Sequence, residues 1–147
     1  MDRLRPKKKP RRRFRGPRLP VDPLKLTLAQ AATRQVDAAI DALERGKFDI
    51  ALTLAGAAEG MIERDGHHLF AGLRDNPRAK ERFAKKRDWI TWLNRERDWL
   101  KHGGDDTMDI ECFDAAMMIA RAASKLEVWT PKMEDFRAWL LKNLDDV

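Results

Sequence analysis

A chain of 147 residues, 43% apolar and 37% charged, is long enough for one domain with a real hydrophobic core, although its charge content is high. Its single cysteine, Cys112, excludes an intramolecular disulfide framework and fits a reducing compartment. The net charge of +6 hides an asymmetry. Residues 1–20 hold ten Lys or Arg against one acid, Asp2, whereas the rest of the chain holds 20 bases against 23 acids. A polycationic arm of +9 therefore precedes a mildly acidic domain of −3. No apolar run approaches the ~20 residues that span a bilayer, and the N-terminus has no apolar stretch of the secretory kind. The expectation is a soluble, cytoplasmic protein with no membrane partner.

The arm comes first. Residues 1–23 carry five prolines, one glycine and a block of like charge, and such a segment buries too little apolar surface to offset its ordering entropy. It is expected to be disordered, with the domain filling residues 24–147. Lys7, Lys8, Lys9, Arg11, Arg12 and Arg13 are the densest cations, and Phe14 sits between them and Arg15. Clustered cations bind polyanions by releasing condensed counterions, and an aromatic among arginines can stack on an unpaired base. Nucleic acid is the expected partner of the arm, against a solubilising tail or a localisation signal. The arm lacks the amphipathic helical pattern of a membrane-surface segment.

The domain reads as helices throughout. A first helix is predicted from about Thr27 to Arg45, with Leu28, Ala32, Val36, Ile40 and Leu43 on one face and Gly46 as its stop. A second runs from Phe48 to about Glu63, with Phe48, Leu52, Ala55 and Ile62 as its stripe and many small residues that admit a close neighbour. Residues 65–76 read as irregular or briefly helical. The adjacent His67 and His68 there point different ways and have no Cys or acid cluster to complete a metal site. The third and longest helix spans about Arg78 to Lys101, begun after Pro77 and stopped by Gly103-Gly104. Asp105, Asp106 and Thr107 offer N-caps for a fourth from about Met108 to Glu127. Its Ala115–Ala123 stretch with Met117-Met118 reads as close-packed core, and Cys112 as a small buried hydrophobe. Thr130-Pro131 opens a last helix to about Asn143. No strand alternation appears, so the fold class is all-α, a four- to five-helix bundle. A single stretch, GKFDIALTLAGAAEG, resembles one tetratricopeptide unit, but stacking needs several.

Two helices break their own apolar pattern. In the third, Phe83, Trp89, Ile90, Trp92, Leu93, Trp99 and Leu100 share an arc that also holds Glu96 and Arg97. In the second, Glu59 lies on the stripe with Leu52, Ala55 and Ile62. A charge on a core-facing stripe is costly unless paired or cavity-lining. A Glu59–Arg97 pair between the helices would resolve two of these irregularities. Alternatively, Arg97 buries its stem and reaches water.

Arg97, Asp98, Trp99, Leu100, Lys101 and His102 together read RDWLKH, an arginine followed by a polar residue and, after four residues in all, a histidine near a helix end. This resembles the HEPN superfamily signature, and LAGAAEG with LNRERDWLKHGG is similar to bacterial proteins of that general kind. The resemblance implies a four- or five-helix bundle, a homodimer that brings two motifs into one cleft, and RNA as the substrate. It further implies a metal-independent endoribonuclease of toxin or defence type, with no cofactor and with an antitoxin as a further partner. Arg97 and His102 are then the candidate catalytic residues, with Asp98, Lys101 and Glu59 supporting. Histidine, with an unperturbed pKa near ~6.5, suits proton transfer to and from a ribose 2′-hydroxyl and the leaving oxygen. Arginine suits stabilisation of charge building on the scissile phosphate, and Lys101 would hold the backbone nearby. Five residues of ideal helix nevertheless place Arg97 and His102 about 140° apart, so the two converge only if the helix frays or if they serve opposite protomers. The competing expectation is a non-catalytic dimerisation or interaction module in which these residues hold a polar core, while the arm binds nucleic acid.

Overall fold

The computed structural model describes residues 6–63, 86–104 and 106–143, and for residues 86–93 it describes the backbone. Five helices lie among these residues: α1 (Leu28–Glu44), α2 (Phe48–Met61), α3 (Lys86–His102), α4 (Cys112–Ser124) and α5 (Pro131–Lys142). The described residues contain no strand, and the fold is an all-α bundle, as the patterning implied. Residues 6–27 carry no helix and are exposed. No helix among the described residues is long and apolar enough to cross a membrane.

Local chemistry fixes most of the helix ends. Thr27 caps α1 by accepting from the Gln30 backbone N–H at 3.1 Å, while the Gln30 side chain accepts from the Thr27 N–H at 2.9 Å. Gly46, at φ +73°, supplies the left-handed residue that ends α1, and Gly103, at φ +79°, does the same for α3. The Gly103 N–H still bonds the Trp99 carbonyl at 2.8 Å, so α3 stays helical through His102. Thr130 caps α5 through Met133, with Pro131 in the first helical position. Its hydroxyl also donates to Asp37 Oδ1 at 2.7 Å, which ties the α5 cap to α1. Thr130→Ala should therefore cost roughly 1–2 kcal/mol in thermal or chemical unfolding, towards the upper end for an N-cap because a second hydrogen bond goes with it.

The fourth helix differs from expectation at both ends. It begins at Cys112, not near Met108, and the proposed caps at 106 and 107 lie outside it. The reason is Asp114, whose buried carboxylate accepts the Glu111 backbone N–H at 2.9 Å and so fixes the first turn. It ends at Ser124, three residues early, where the Ser124 hydroxyl donates to the Arg121 carbonyl and the Trp129 indole donates to the Ala123 carbonyl. The Ala123 carbonyl also accepts the Leu126 backbone N–H at 3.0 Å, so side-chain and turn hydrogen bonds together close the C-terminus. Residues 65–76, with His67 and His68, and the predicted start of the third helix lie outside the described residues.

The core is centred on α4. Ala115, Ala116, Met117, Met118, Ile119, Ala120, Ala122 and Ala123 are all buried, so this helix is enclosed on nearly every side. Its alanines let α1 and α2 approach closely, and Val36, Ala39, Leu52 and Ala55 fill the space between. Met133, Phe136 and Leu140 of α5 complete the cluster. Cys112 is half-buried at the start of α4, and burial pushes its thiol pKa up, with a smaller contribution from Asp114. The raised pKa keeps its thiolate fraction small at neutral pH, so the thiol reacts slowly unless a partner is held beside it.

Candidate functional site

The site grows from the pairing of α2 with α3. Glu59 occupies the apolar stripe of α2 and is 6% exposed. Arg97 reaches it from α3, with Nη1 3.0 Å from Glu59 Oε2, which is the pair the two stripe irregularities implied. Two further cations converge on the other carboxylate oxygen: Arg121 Nε at 3.1 Å and Lys125 Nζ at 2.9 Å. Neither of these was singled out in the sequence. Lys125 also donates to the Glu59 carbonyl at 3.1 Å, and Arg121 donates to Asn94 Oδ1 of α3 at 3.2 Å. One carboxylate thus joins three helices through three cations.

The glycines of α2 make room for this. A Cβ at Gly56 would lie 3.4 Å from Arg97 Cδ, and one at Gly60 would lie 3.4 Å from Arg97 Nη2. The arginine stem therefore runs along a shallow furrow one side chain deep. Burial alone would raise the Glu59 pKa, but the hydrogen bond from Lys125 and the charges of Arg121, Lys125 and Arg97 outweigh it and hold the carboxyl below its ordinary range. Glu59 is an anion in the folded protein at neutral pH.

A second polar contact joins the neighbouring α3 residue, Glu96, to Asp114 of α4. Glu96 is 2% exposed and Asp114 is fully buried, and one oxygen on each, Glu96 Oε2 and Asp114 Oδ1, has no conventional donor. A shared proton between the two carboxyls satisfies both. Burial, the hydrogen bond to Asp114 and the negative charges of Asp114 and Glu111 together push the Glu96 pKa up to about 8. Burial raises Asp114 as well, while hydrogen bonds from the Glu111 backbone and from Glu96 pull the other way. Glu96 thus holds the proton and donates it to Asp114. Glu96 lines a cleft of about 340 Å³ together with Arg95, Thr107, Met108, Asp109 and Glu111.

The remaining motif residues lie elsewhere on α3. Asp98, Lys101 and His102 are exposed, and Arg97 keeps 30% of its side-chain surface. Because α3 is unbroken to His102, Arg97 faces α2 while His102 projects from a different side of the helix, about 140° around it. A single chain does not bring the two into contact-ready register. On the arm, Lys7, Lys8, Lys9, Arg11, Arg12, Arg13, Phe14 and Arg15 are all exposed. No cluster of three or more His, Cys, Asp or Glu side chains suited to a metal exists among the described residues. Comparison with protein-family models, with curated protein sequences and with solved structures returns no match.

Proposed function

We propose that this protein is a nucleic-acid-binding helical bundle whose basic arm holds the polyanion and whose Arg97 belongs to the scaffold. The observation that carries this reading is the contrast between the two sets of cations. The arm presents its Lys and Arg to solvent around an exposed Phe14, whereas Arg97, Arg121 and Lys125 converge on Glu59. Exposed cations with no acid partner among the described residues suit counterion release, and Phe14 suits stacking on an unpaired base, which favours a single-stranded nucleic acid.

A second reading, the HEPN-type metal-independent endoribonuclease, is favoured by the exposed His102 at the end of α3 and by the solvent-open part of Arg97. It requires a homodimer, in which Arg97 of one protomer meets His102 of its partner, and as a toxin it would take an antitoxin partner. One experiment separates the two. Binding of labelled single-stranded RNA across a salt series should show a steep slope, reduced by roughly 2 when Arg11, Arg12 and Arg13 are changed to Gln, given about 0.7 per phosphate contact on a single strand. Affinity and slope indifferent to those substitutions would sink the arm as the binding element. Metal-free cleavage of the same RNA, lost in His102→Ala, would establish the ribonuclease reading instead.

A further inference from the structure

A groove of about 650 Å³ runs between α1, the start of α4 and α5, on residues that neither the Glu59 network nor the α3 motif uses. Its walls are apolar: Ile40 and Leu43 from α1, Phe136 and Trp139 from α5. Phe136 and Trp139 stack at a tilt with ring centroids 6.1 Å apart, and Trp139 is 38% exposed. The rim is acidic. Asp41, Glu44 and Asp135 border the groove against a single cation, Lys132, which is already paired with Asp41. An apolar trough with an uncompensated acidic edge calls for a segment that offers one large apolar side chain flanked by cations.

The chain carries such a segment. Phe14 is 93% exposed and sits between Arg11–Arg13 and Arg15, none of which has an acid beside it in the sequence. The tether is long enough. Fourteen residues from Phe14 to Leu28 span up to about 46 Å when extended, whereas the Ile40–Glu44 end of α1 lies only about 18–24 Å along the helix from Leu28. A tether of that length holds the segment at an effective concentration on the order of millimolar, so modest affinity suffices.

We propose that this groove is a docking site for the chain's own basic arm, which lies outside it in the present structure: in the docked state Phe14 sits between Leu43, Phe136 and Trp139, with its flanking arginines against Glu44 and Asp135. The docking stands whether or not the arm binds nucleic acid. If it does, the groove and the polyanion compete for the same residues, and the domain holds the arm back from weak ligands.

Two measurements on the full chain test this. The first is the indole N–H cross-peak of Trp139, assigned by its disappearance in Trp139→Phe. Phe14→Ala, the rim double substitution Glu44→Lys with Asp135→Lys, and 0.5 M salt (about a 4–5 Å Debye length) should each move that peak in the same direction. All the substituted residues are exposed, so the fold tolerates the changes. A peak that Phe14→Ala leaves in place overturns the proposal. The second uses the lone native thiol, since Cys112 lines the groove. With Arg15→Cys and oxidised glutathione, intact-mass analysis should show an internal disulfide in the monomer, formed at least fivefold more slowly when Phe14→Ala is added. A covalent dimer as the main product would place a second copy's arm in the groove and overturn the intramolecular seat.

Discussion

Replacing Glu59 with glutamine should lower the stability of the bundle by roughly 3 kcal/mol, read as a lower urea midpoint at unchanged slope. The side chain keeps its shape but loses the charge that three part-buried cations share. Arg97, Arg121 and Lys125 retain only 30%, 20% and 18% of their side-chain exposure, so water replaces the lost carboxylate incompletely. The amide also turns one end of the side chain into a donor facing donors. Removing one cation is gentler. Arg97→Met keeps the apolar stem in the Gly56–Gly60 furrow and leaves Glu59 with Arg121 and Lys125, so it should cost less than half as much. Glu63→Gln, at an exposed position just beyond α2, should change stability by no more than ~0.5 kcal/mol. An unchanged midpoint for Glu59→Gln would show that the network does not hold α3 in place. The acid limb carries a second signature. Because the folded pKa of Glu59 is depressed, its contribution is present above the ordinary value of 4.5 and is lost as the pH falls through the lower folded value. Glu59→Gln should remove that part of the acid transition.

The pattern of what the sequence revealed follows from distance along the chain. Helix ends were legible wherever a local device sets them: Thr27 with Gln30, Gly46, Gly103, and Thr130 with Pro131. The Glu59–Arg97 pair was legible because each charge breaks an apolar periodicity on its own helix, although 38 residues separate them. Lys125 was not, since it follows the end of α4 and reaches a carbonyl 66 residues away with no periodic pattern to betray it. Arg121 and Asp114 did leave a trace. Both are charged residues inside CFDAAMMIARAAS, a segment otherwise apolar enough to be enclosed, and the same stripe logic that singled out Glu59 applies to them. The late start of α4 has the same root, because the acid that fixes its first turn is Asp114, not the Asp and Thr residues upstream that look like caps.

The two polar contacts of α3 give it a role distinct from that of α4. The Ala- and Met-rich α4 is held mainly by packing, with Arg121 and Asp114 as polar ties, whereas Arg97, Glu96 and Asn94 tie α3 to its neighbours and Leu100 packs against the core. Charge pairs specify register and orientation more sharply than apolar surfaces do, at some cost in stability. A helix fixed this way presents Asp98, Lys101 and His102 to solvent in a defined direction, which any function of that face requires.

Glu96→Gln should raise stability at alkaline pH and flatten the pH profile of unfolding. The folded protein keeps Glu96 protonated up to about pH 8, whereas in the unfolded chain it ionises near 4.5. Between those values the native state holds a proton that the unfolded chain has released, so stability falls as the pH rises through the window and levels off above it. Each unit is worth about 1.4 kcal/mol, and the whole window therefore amounts to a few kcal/mol. Above pH 8 the wild-type pair becomes two buried carboxylates beside Glu111, which the charge of Arg95 offsets only in part. Glutamine is neutral at every pH. Its amide N–H, placed at the Oε2 position, takes over the donation to Asp114 Oδ1 without a titrating proton. Thermal unfolding at pH 5, 7 and 9 should thus show a wild-type midpoint that drops across the series and a Glu96→Gln midpoint that stays nearly level, with the variant ahead at pH 9. Asp114→Ala is the counterpart with the opposite expectation at every pH, because it removes the acceptor of the Glu111 backbone N–H that starts α4. Parallel pH profiles for wild type and Glu96→Gln would mean that the two carboxyls do not share a proton.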